Sequence, residues 1–170
     1  MSYDQLSIAC EALVLRIVQH SRDTSRCCVV GIVSPHPGAG VTQITHILAD
    51  TLRAEGIDAV ATVSASELIG AGSDCNGHGT AVTFDALRSV YRFVLVDCGS
   101  IRQDQNAMRL IPLVDGVIVV VEANKTHRDQ LLYTERVIEN VDGRILGHVL
   151  NKRTYVVPRW LYGLMETVGV

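Results

Sequence analysis

The chain has 170 residues, of which 48% are hydrophobic and 5% aromatic, and its net charge at neutral pH is −3. This length suits one domain with a sizeable core, and the sequence has no basic block that would support nucleic-acid binding. No run of about 18 unbroken apolar residues occurs, and Asp4 and Glu11 interrupt the N-terminus, so neither a membrane span nor a cleavable signal is predicted. We therefore expect a cytoplasmic protein.

Strands and helices are predicted to alternate along most of the chain. Apolar residues spaced three and four apart predict a helix over 4–19, and a polar linker follows at 21–26. Four glycines between 70 and 79 predict a mobile loop. Strands are predicted at 28–33, 58–63, 93–96, 116–121 and 144–150, and further helices at 41–55, 80–90, 104–111, 126–140 and 158–168.

This alternation predicts an α/β fold with three layers, in which helices cover both faces of a doubly wound, mainly parallel sheet. We expect one domain over 1–170. Its parts are an N-terminal helix and linker at 1–26, an α/β core at 27–151 and a C-terminal tail helix at 152–170.

A glycine-containing loop stands between the first core strand and the helix that follows it. Residues 34–42 read Ser-Pro-His-Pro-Gly-Ala-Gly-Val-Thr. In this strand–loop–helix context, the glycines let backbone N–H groups form a cradle for phosphate, and the helix N-terminus adds partial positive charge. Thr42 stands where a phosphate-binding loop carries its Mg²⁺-binding hydroxyl. The residues predicted to bind a nucleotide here are Gly38, Ala39, Gly40, Val41 and Thr42.

The lysine of such a loop is missing, because Val41 occupies its position. The chain contains only Lys125 and Lys152, which are far from the loop in sequence, and His36 is mostly neutral at neutral pH. Loss of one charge-assisted contact costs about 1.5–3 kcal/mol, which weakens phosphate binding by roughly tenfold to a hundredfold. The sequence therefore predicts no certain cofactor and at most weak binding of ATP or ADP with Mg²⁺.

Two strand-end residues add polar groups to this predicted site. The strand at 93–96 runs into Asp97, which we expect to hold Mg²⁺ together with Thr42 and to be catalytic if the chain is active. The alternative is a strand-end acid that holds Thr42 or the backbone. The last core strand ends at Asn151, whose amide can read a base edge or can simply close a turn.

Four segments in a fixed order carry a resemblance to known proteins: 34–42, 91–97, 115–121 and 147–162. Over about residues 28–165 the chain resembles the MinD/ParA-like P-loop ATPases, and among them the cytosolic domains of the bacterial tyrosine kinases (BY-kinases) of exopolysaccharide export. The resemblance implies a P-loop NTPase-like, Rossmann-like fold.

The sequence departs from this family at the positions that carry charge. The resemblance implies two acids after the second strand that help to coordinate Mg²⁺ and accept a proton, and Ser64 and Ser66 stand there instead. After Asp97 the family usually has small residues and prolines, whereas residues 98–100 are Cys-Gly-Ser. Together with Val41, these changes predict degenerate catalytic motifs.

We therefore expect a non-catalytic or nearly inactive relative, a pseudokinase, that regulates or scaffolds exopolysaccharide biosynthesis and export. Its expected partner is a membrane polysaccharide co-polymerase or an active tyrosine kinase subunit, which would bring it to the inner membrane. A homo-oligomer is a further expectation. One alternative is an active ATPase or tyrosine kinase in which another cation replaces the missing lysine. That cation could come from the same chain or from a neighbouring subunit. The other is a ParA/MinD-like positioning ATPase, which is disfavoured because its nucleotide-driven dimer needs the missing lysines.

Two surfaces are candidates for docking such a partner. One is the apolar side of the N-terminal helix, and the other is the tail; the alternative for both is packing in the core of the same domain. The residues concerned are Leu6, Leu13 and Ile17 in the helix, and Arg159, Trp160 and Tyr162 in the tail.

Overall fold

The computed structural model describes residues 3–24, 27–70 and 78–153. The predicted tail helix at 158–168 lies outside these residues, so the docking surface around Trp160 stays a prediction. The helices are α1 (Tyr3–Thr24), α2 (Val41–Ala54), α3 (Ala65–Gly70), α4 (His78–Val90), α5 (Gln105–Leu110) and α6 (Arg128–Asn140), with a 3₁₀ turn at Ile111–Leu113. The strands are β1 (Cys28–Ser34), β2 (Val60–Ser64), β3 (Phe93–Ser100), β4 (Gly116–Glu122) and β5 (Ile145–Asn151).

The five strands form one sheet in the order β2-β3-β1-β4-β5, and every pairing is parallel. All seven residues of the central strand β1 are buried, which suits its run of small and β-branched apolar side chains. Because the strands are parallel, their carboxyl ends meet at one edge. The connection after β1 leads to strands on one side of it, β2 and β3, and the connection after β3 crosses to β4 on the other side. Open α/β sheets form a crevice where the strand order changes direction in this way.

Alternate side chains of the sheet pack into two separate cores. Cys28, Val30 and Ile32 of β1 belong to the core shared with α1 and α2, whereas Val29 and Val33 belong to the core on the opposite face. That second core contains residues of α3, α4, α5 and α6. The three-layer α/β fold predicted from the sequence is therefore confirmed.

Helix α1 packs against its own domain. Leu13 and Ile17 are 7% and 0% exposed and lie in the same core as α2. A Cβ atom on Gly147 would lie 2.7 Å from Cδ2 of Leu13, so the helix sits directly on the bare backbone of β5. The prediction that Leu13 and Ile17 form a docking surface is wrong, because both side chains are buried in the core of their own domain. The side chain of Leu6 lies outside the described part of the chain.

Some boundaries differ from those predicted. Strand β3 runs to Ser100 instead of ending at 96, because it continues to pair with β1 as far as the Ser34–Ser100 register. Of the loop predicted at 70–79, Gly70 belongs to α3 and His78 already begins α4, while 71–77 lie outside the described residues. None of the described helices is long and apolar enough to cross a membrane.

Candidate phosphate-loop site

The loop between β1 and α2 has the backbone shape that the glycines predict. Gly38 and Gly40 have φ values of +79° and +95°, in the left-handed region that glycine favours. Gly40 precedes α2, and no side chain caps the helix at this end. The first turn of α2 also carries no acidic residue. Its first N–H groups and its positive dipole end are therefore open to an anion.

A cavity of about 460 Å³ opens over this loop at the carboxyl edge of the sheet. It brings together residues from three parts of the chain that are distant in sequence, 34–42, 97–104 and Lys152. Those that matter to the site are Gly38, Gly40, Val41, Thr42, Asp97, Ser100 and Lys152.

The two predicted Mg²⁺ ligands are in contact. The hydroxyl of Thr42 donates a 2.5 Å hydrogen bond to Oδ2 of Asp97, and the backbone N–H of Gly99 donates to Oδ1 at 3.0 Å. A hydroxyl and a carboxylate are the hard oxygen donors that Mg²⁺ prefers, so this pair fits the ion. The same contacts also satisfy the alternative in which Asp97 holds Thr42 and the backbone.

Val41 is an apolar core residue at the position of the loop lysine. Its side chain is 7% exposed and packs in the core formed with α1 and α2, while one part of it borders the cavity. An aliphatic side chain offers phosphate neither a charge nor a donor. The loop therefore keeps its cradle but has no cation of its own at this position.

The serines that replace the two expected acids have a structural role. Ser64 and Glu67 form a reciprocal capping pair at the start of α3: Glu67 Oε2 accepts from the N–H of Ser64 at 2.9 Å, and Ser64 Oγ accepts from the N–H of Glu67 at 3.2 Å. The hydroxyl of Ser66 lies 3.0 Å from that of Ser64. Hydrogen bonds from Ser64 hold the pKa of Glu67 below its usual value. These serines therefore start a helix where the resemblance implies metal-binding acids.

Asn151 ties the last strand to the loop. It is 3% exposed, and its amide Nδ2 donates to the carbonyl of Ala39 at 2.8 Å, while its Oδ1 accepts the N–H of Lys152 at 2.8 Å. Both ends of the amide are thus used within the protein, which supports the turn-closing alternative. Reading of a base by Asn151 stays a prediction.

Lys152 reaches the loop, which sequence reasoning missed. Its ammonium donates to the carbonyl of Gly38, 114 residues away in sequence, and lies 3.2 Å from Oε1 of Glu122. Sequence separation was therefore the wrong criterion for this lysine. One signal was available: Lys152 directly follows the last core strand, and the carboxyl ends of parallel strands share an edge.

Glu122, at the end of β4, is the buried centre of a charge cluster. It is 9% exposed and pairs with two ammonium groups, since Lys152 Nζ lies 3.2 Å from Oε1 and Lys125 Nζ lies 3.2 Å from Oε2. Burial raises the pKa of Glu122, but the hydrogen bonds and charges of Lys152 and Lys125 outweigh it and hold the pKa below its usual value. Lys125 does not border the cavity.

His36 does not act at the cavity. Its ring is buried beside the loop after β4, where Nε2 lies 2.9 Å from the hydroxyl of Thr126. Nδ1 lies 3.1 Å from the carbonyl of Pro37, which requires this nitrogen to carry the proton. Among the described basic residues, Lys152 is the one that borders the loop cavity.

No family model and no curated protein matches this sequence. Solved structures do match in fold. The kinase domain of VpsO superposes with a TM-score of 0.64 and 16% identity, over 90% of this chain and 100% of that chain. The kinase domain of the Escherichia coli tyrosine kinase ETK gives 0.63 and 14%, over 77% and 71%.

A plasmid partition protein from Borrelia burgdorferi gives a TM-score of 0.53 and 14% identity, over 83% of this chain and 87% of that chain. Sequence identities this low show a shared fold and nothing beyond it. The chain therefore has the fold shared by the cytosolic domains of bacterial tyrosine kinases and by the MinD/ParA-like ATPases, as its sequence motifs predicted.

Proposed function

We propose that this protein is a non-catalytic P-loop domain that regulates or scaffolds exopolysaccharide biosynthesis and export. The observation that carries the proposal is the burial of Val41 in the apolar core at the position of the loop lysine. The capping pair formed by Ser64 and Glu67 supports it, since the expected acids are replaced by residues with a local structural role.

Enzymes that transfer phosphoryl groups depend on charged groups around the phosphate. The protein contributes little covalent chemistry, and catalysis depends almost entirely on positioning and on charge that stabilises the transferred group. Thr42 and Asp97 keep one metal-binding pair, but the loop lysine and the two acids at 64 and 66 are absent. A domain that keeps the fold and loses these charges is best explained by what its surface binds.

The proposed partner is a membrane polysaccharide co-polymerase or an active tyrosine kinase subunit. Support comes from the fold, which is that of tyrosine kinase domains, and from the resemblance of the loop and strand-end motifs to the kinases of exopolysaccharide export. In this proposal the protein is cytoplasmic and reaches the inner membrane through its partner.

Affinity purification of the tagged protein from detergent-solubilised native cells tests the proposal. We expect a membrane polysaccharide-assembly protein or a tyrosine kinase to be recovered, and to be missing from cells that express the tag alone. Recovery of a partition or positioning system instead would contradict the scaffold role and support the ParA/MinD-like alternative.

A second candidate function is an active ATPase or tyrosine kinase, and Lys152 is the observation that favours it. It lines the same cavity as Thr42 and Asp97, and its ammonium contacts the loop at Gly38, so it is a cation available within the same chain. If this function is correct, purified protein turns over ATP and the Lys152→Met variant does not. Absence of turnover in both proteins supports the non-catalytic role.

A further inference from the structure

The cavity over the loop contains a buried hydroxyl without a hydrogen-bond partner. Ser100 lines this cavity and is 6% exposed, and its Oγ has no partner among the described residues. A buried polar atom without a partner is unfavourable and rare, and it commonly marks a place where a ligand or water is bound. Ser100 lies in the segment after Asp97 where the resemblance implies small residues and prolines.

We propose that Lys152 and Ser100 take the place of the missing loop lysine, so that the cavity still holds the phosphate group expected of such a loop, in the form of a nucleoside diphosphate or of free phosphate. This inference builds on the proposed function, because it assigns a ligand to a site that does not turn it over. Three features of the described residues carry it: the open end of α2, the ammonium of Lys152 and the hydroxyl of Ser100.

The end of α2 provides the cradle. The helix has 14 residues, is preceded by Gly40, and has no side-chain cap and no acid in its first turn. Its unpaired N–H groups and its dipole therefore favour an anion. Gly38 and Gly40 line the same cavity with their left-handed backbone, so no Cβ atom narrows the approach to these groups.

Lys152 provides the charge. An ammonium group has three N–H donors, and the structure uses two of them, on the carbonyl of Gly38 and on Glu122. One donor is left for a ligand oxygen. Glu122 also pairs with Lys125, so the single negative charge of Glu122 faces two positive charges. Asp97 and Asp104 also line the cavity, so Lys152 is the one described cation beside two carboxylates.

Titration of the protein with ADP, with ADP and Mg²⁺, and with inorganic phosphate tests the proposal. Amide chemical shifts of Gly38 and Gly40 report binding even at millimolar affinity and show where the ligand is. We expect these amides to shift with all three probes. Affinity for ADP much above that for phosphate identifies a nucleotide site, and equal affinities identify a site for bare phosphate. No shift up to roughly 10 mM ligand, where even very weak binding is visible, overturns the proposal.

Matched variants test the two side chains. Lys152→Met is expected to weaken binding by about tenfold or more, because a charge-assisted contact is lost, and Ser100→Ala by about threefold to tenfold. Lys125→Met is the control, since it removes the same charge from Glu122 without bordering the cavity, and it should change affinity by less than about twofold. Equal losses for the two lysine variants, or no loss for Lys152→Met, overturn the role of Lys152.

A rescue experiment distinguishes loss of the Lys152 charge from loss of the loop structure in the Lys152→Met variant. Introducing Val41→Lys into that variant puts the cation back at the usual position and should restore phosphate binding. Failure of binding in every protein would overturn this inference but leave the non-catalytic function standing. ATP turnover by the unmodified protein would overturn that function and leave the binding site standing.

Discussion

Asn151 donates a 2.8 Å hydrogen bond from its side chain to the backbone carbonyl of Ala39, which lies 112 residues earlier in the chain. The contact joins the loop between β1 and α2 to the end of β5. It also explains why the neighbouring loop residue is Gly40, since a Cβ atom there would lie only 2.3 Å from Nδ2 of Asn151. The conformation of the loop is therefore stabilised by Asn151 of β5 as well as by the glycines of the loop.

Gly40→Ala is expected to destabilise the protein more than Gly38→Ala. Both glycines have positive φ, so either substitution costs about 1–2 kcal/mol of backbone strain. Only Gly40 faces Asn151, whereas nothing lies within 4 Å of a Cβ on Gly38. Urea unfolding should show a further loss of about 1–3 kcal/mol for Gly40→Ala. Equal losses would mean that the Asn151 contact does not constrain the loop.

The capping role of Ser64 predicts how the protein responds when an acid is placed at position 64. Ser64→Ala should lower the free energy of unfolding by about 1 kcal/mol, because it removes the cap of α3. Ser64→Asp should leave stability nearly unchanged, since aspartate caps a helix as well as serine does. Thermal unfolding of the two variants provides the comparison. If Ser64→Asp is as unstable as Ser64→Ala, the position needs serine for a reason other than capping.

The fold was predictable because its signals are local. Runs of valine and isoleucine mark each buried strand, and the glycines of the loop mark the turn into α2. Helix α3 also had a local signal, since serine followed three residues later by glutamate is a capping pattern, as at Ser64 and Glu67.

The chemistry of the site was less predictable, because it depends on which residues meet across the sheet. Lys152 and Glu122 come together only because β5 lies next to β4, and strand order cannot be derived from the pattern of a single strand. Ser100 borders the cavity because β3 continues beyond its apolar run. Leu13 has the spacing of an amphipathic helix, and that pattern does not tell whether the apolar side faces the same domain or a partner.

Leu13→Asp and Leu15→Asp should behave differently, although both residues are in α1. Leu13 is 7% exposed and packs on β5, so a carboxylate there is expected to cost about 3–5 kcal/mol of stability or to prevent folding. Leu15 is 61% exposed, so Leu15→Asp should change the free energy of unfolding by less than about 0.5 kcal/mol. Circular dichroism of both variants measures this. A well-folded Leu13→Asp protein would mean that α1 is not part of the core.

Buried thiols make stability depend on pH in the alkaline range. Burial raises the pKa of Cys98 to about 12, whereas an unfolded cysteine ionises near pH 8.5. Because the folded pKa is the higher one, the stabilisation is complete below about pH 8.5 and is lost progressively as the pH rises toward 12. Between about pH 8 and pH 10, Cys98→Ala should therefore show a smaller decrease in unfolding free energy than the unmodified protein. Parallel decreases would contradict the raised pKa.

Incubation of the purified protein with ATP and Mg²⁺ tests the central claim most directly, with ADP release followed by a coupled assay and tyrosine phosphorylation by mass spectrometry. Burial of Val41 and loss of the two acids predict neither ADP release above the buffer background nor phosphate on any tyrosine. ADP release or phosphotyrosine that disappears in the Asp97→Ala variant would contradict the account, since it would show that the Thr42–Asp97 pair still supports phosphoryl transfer.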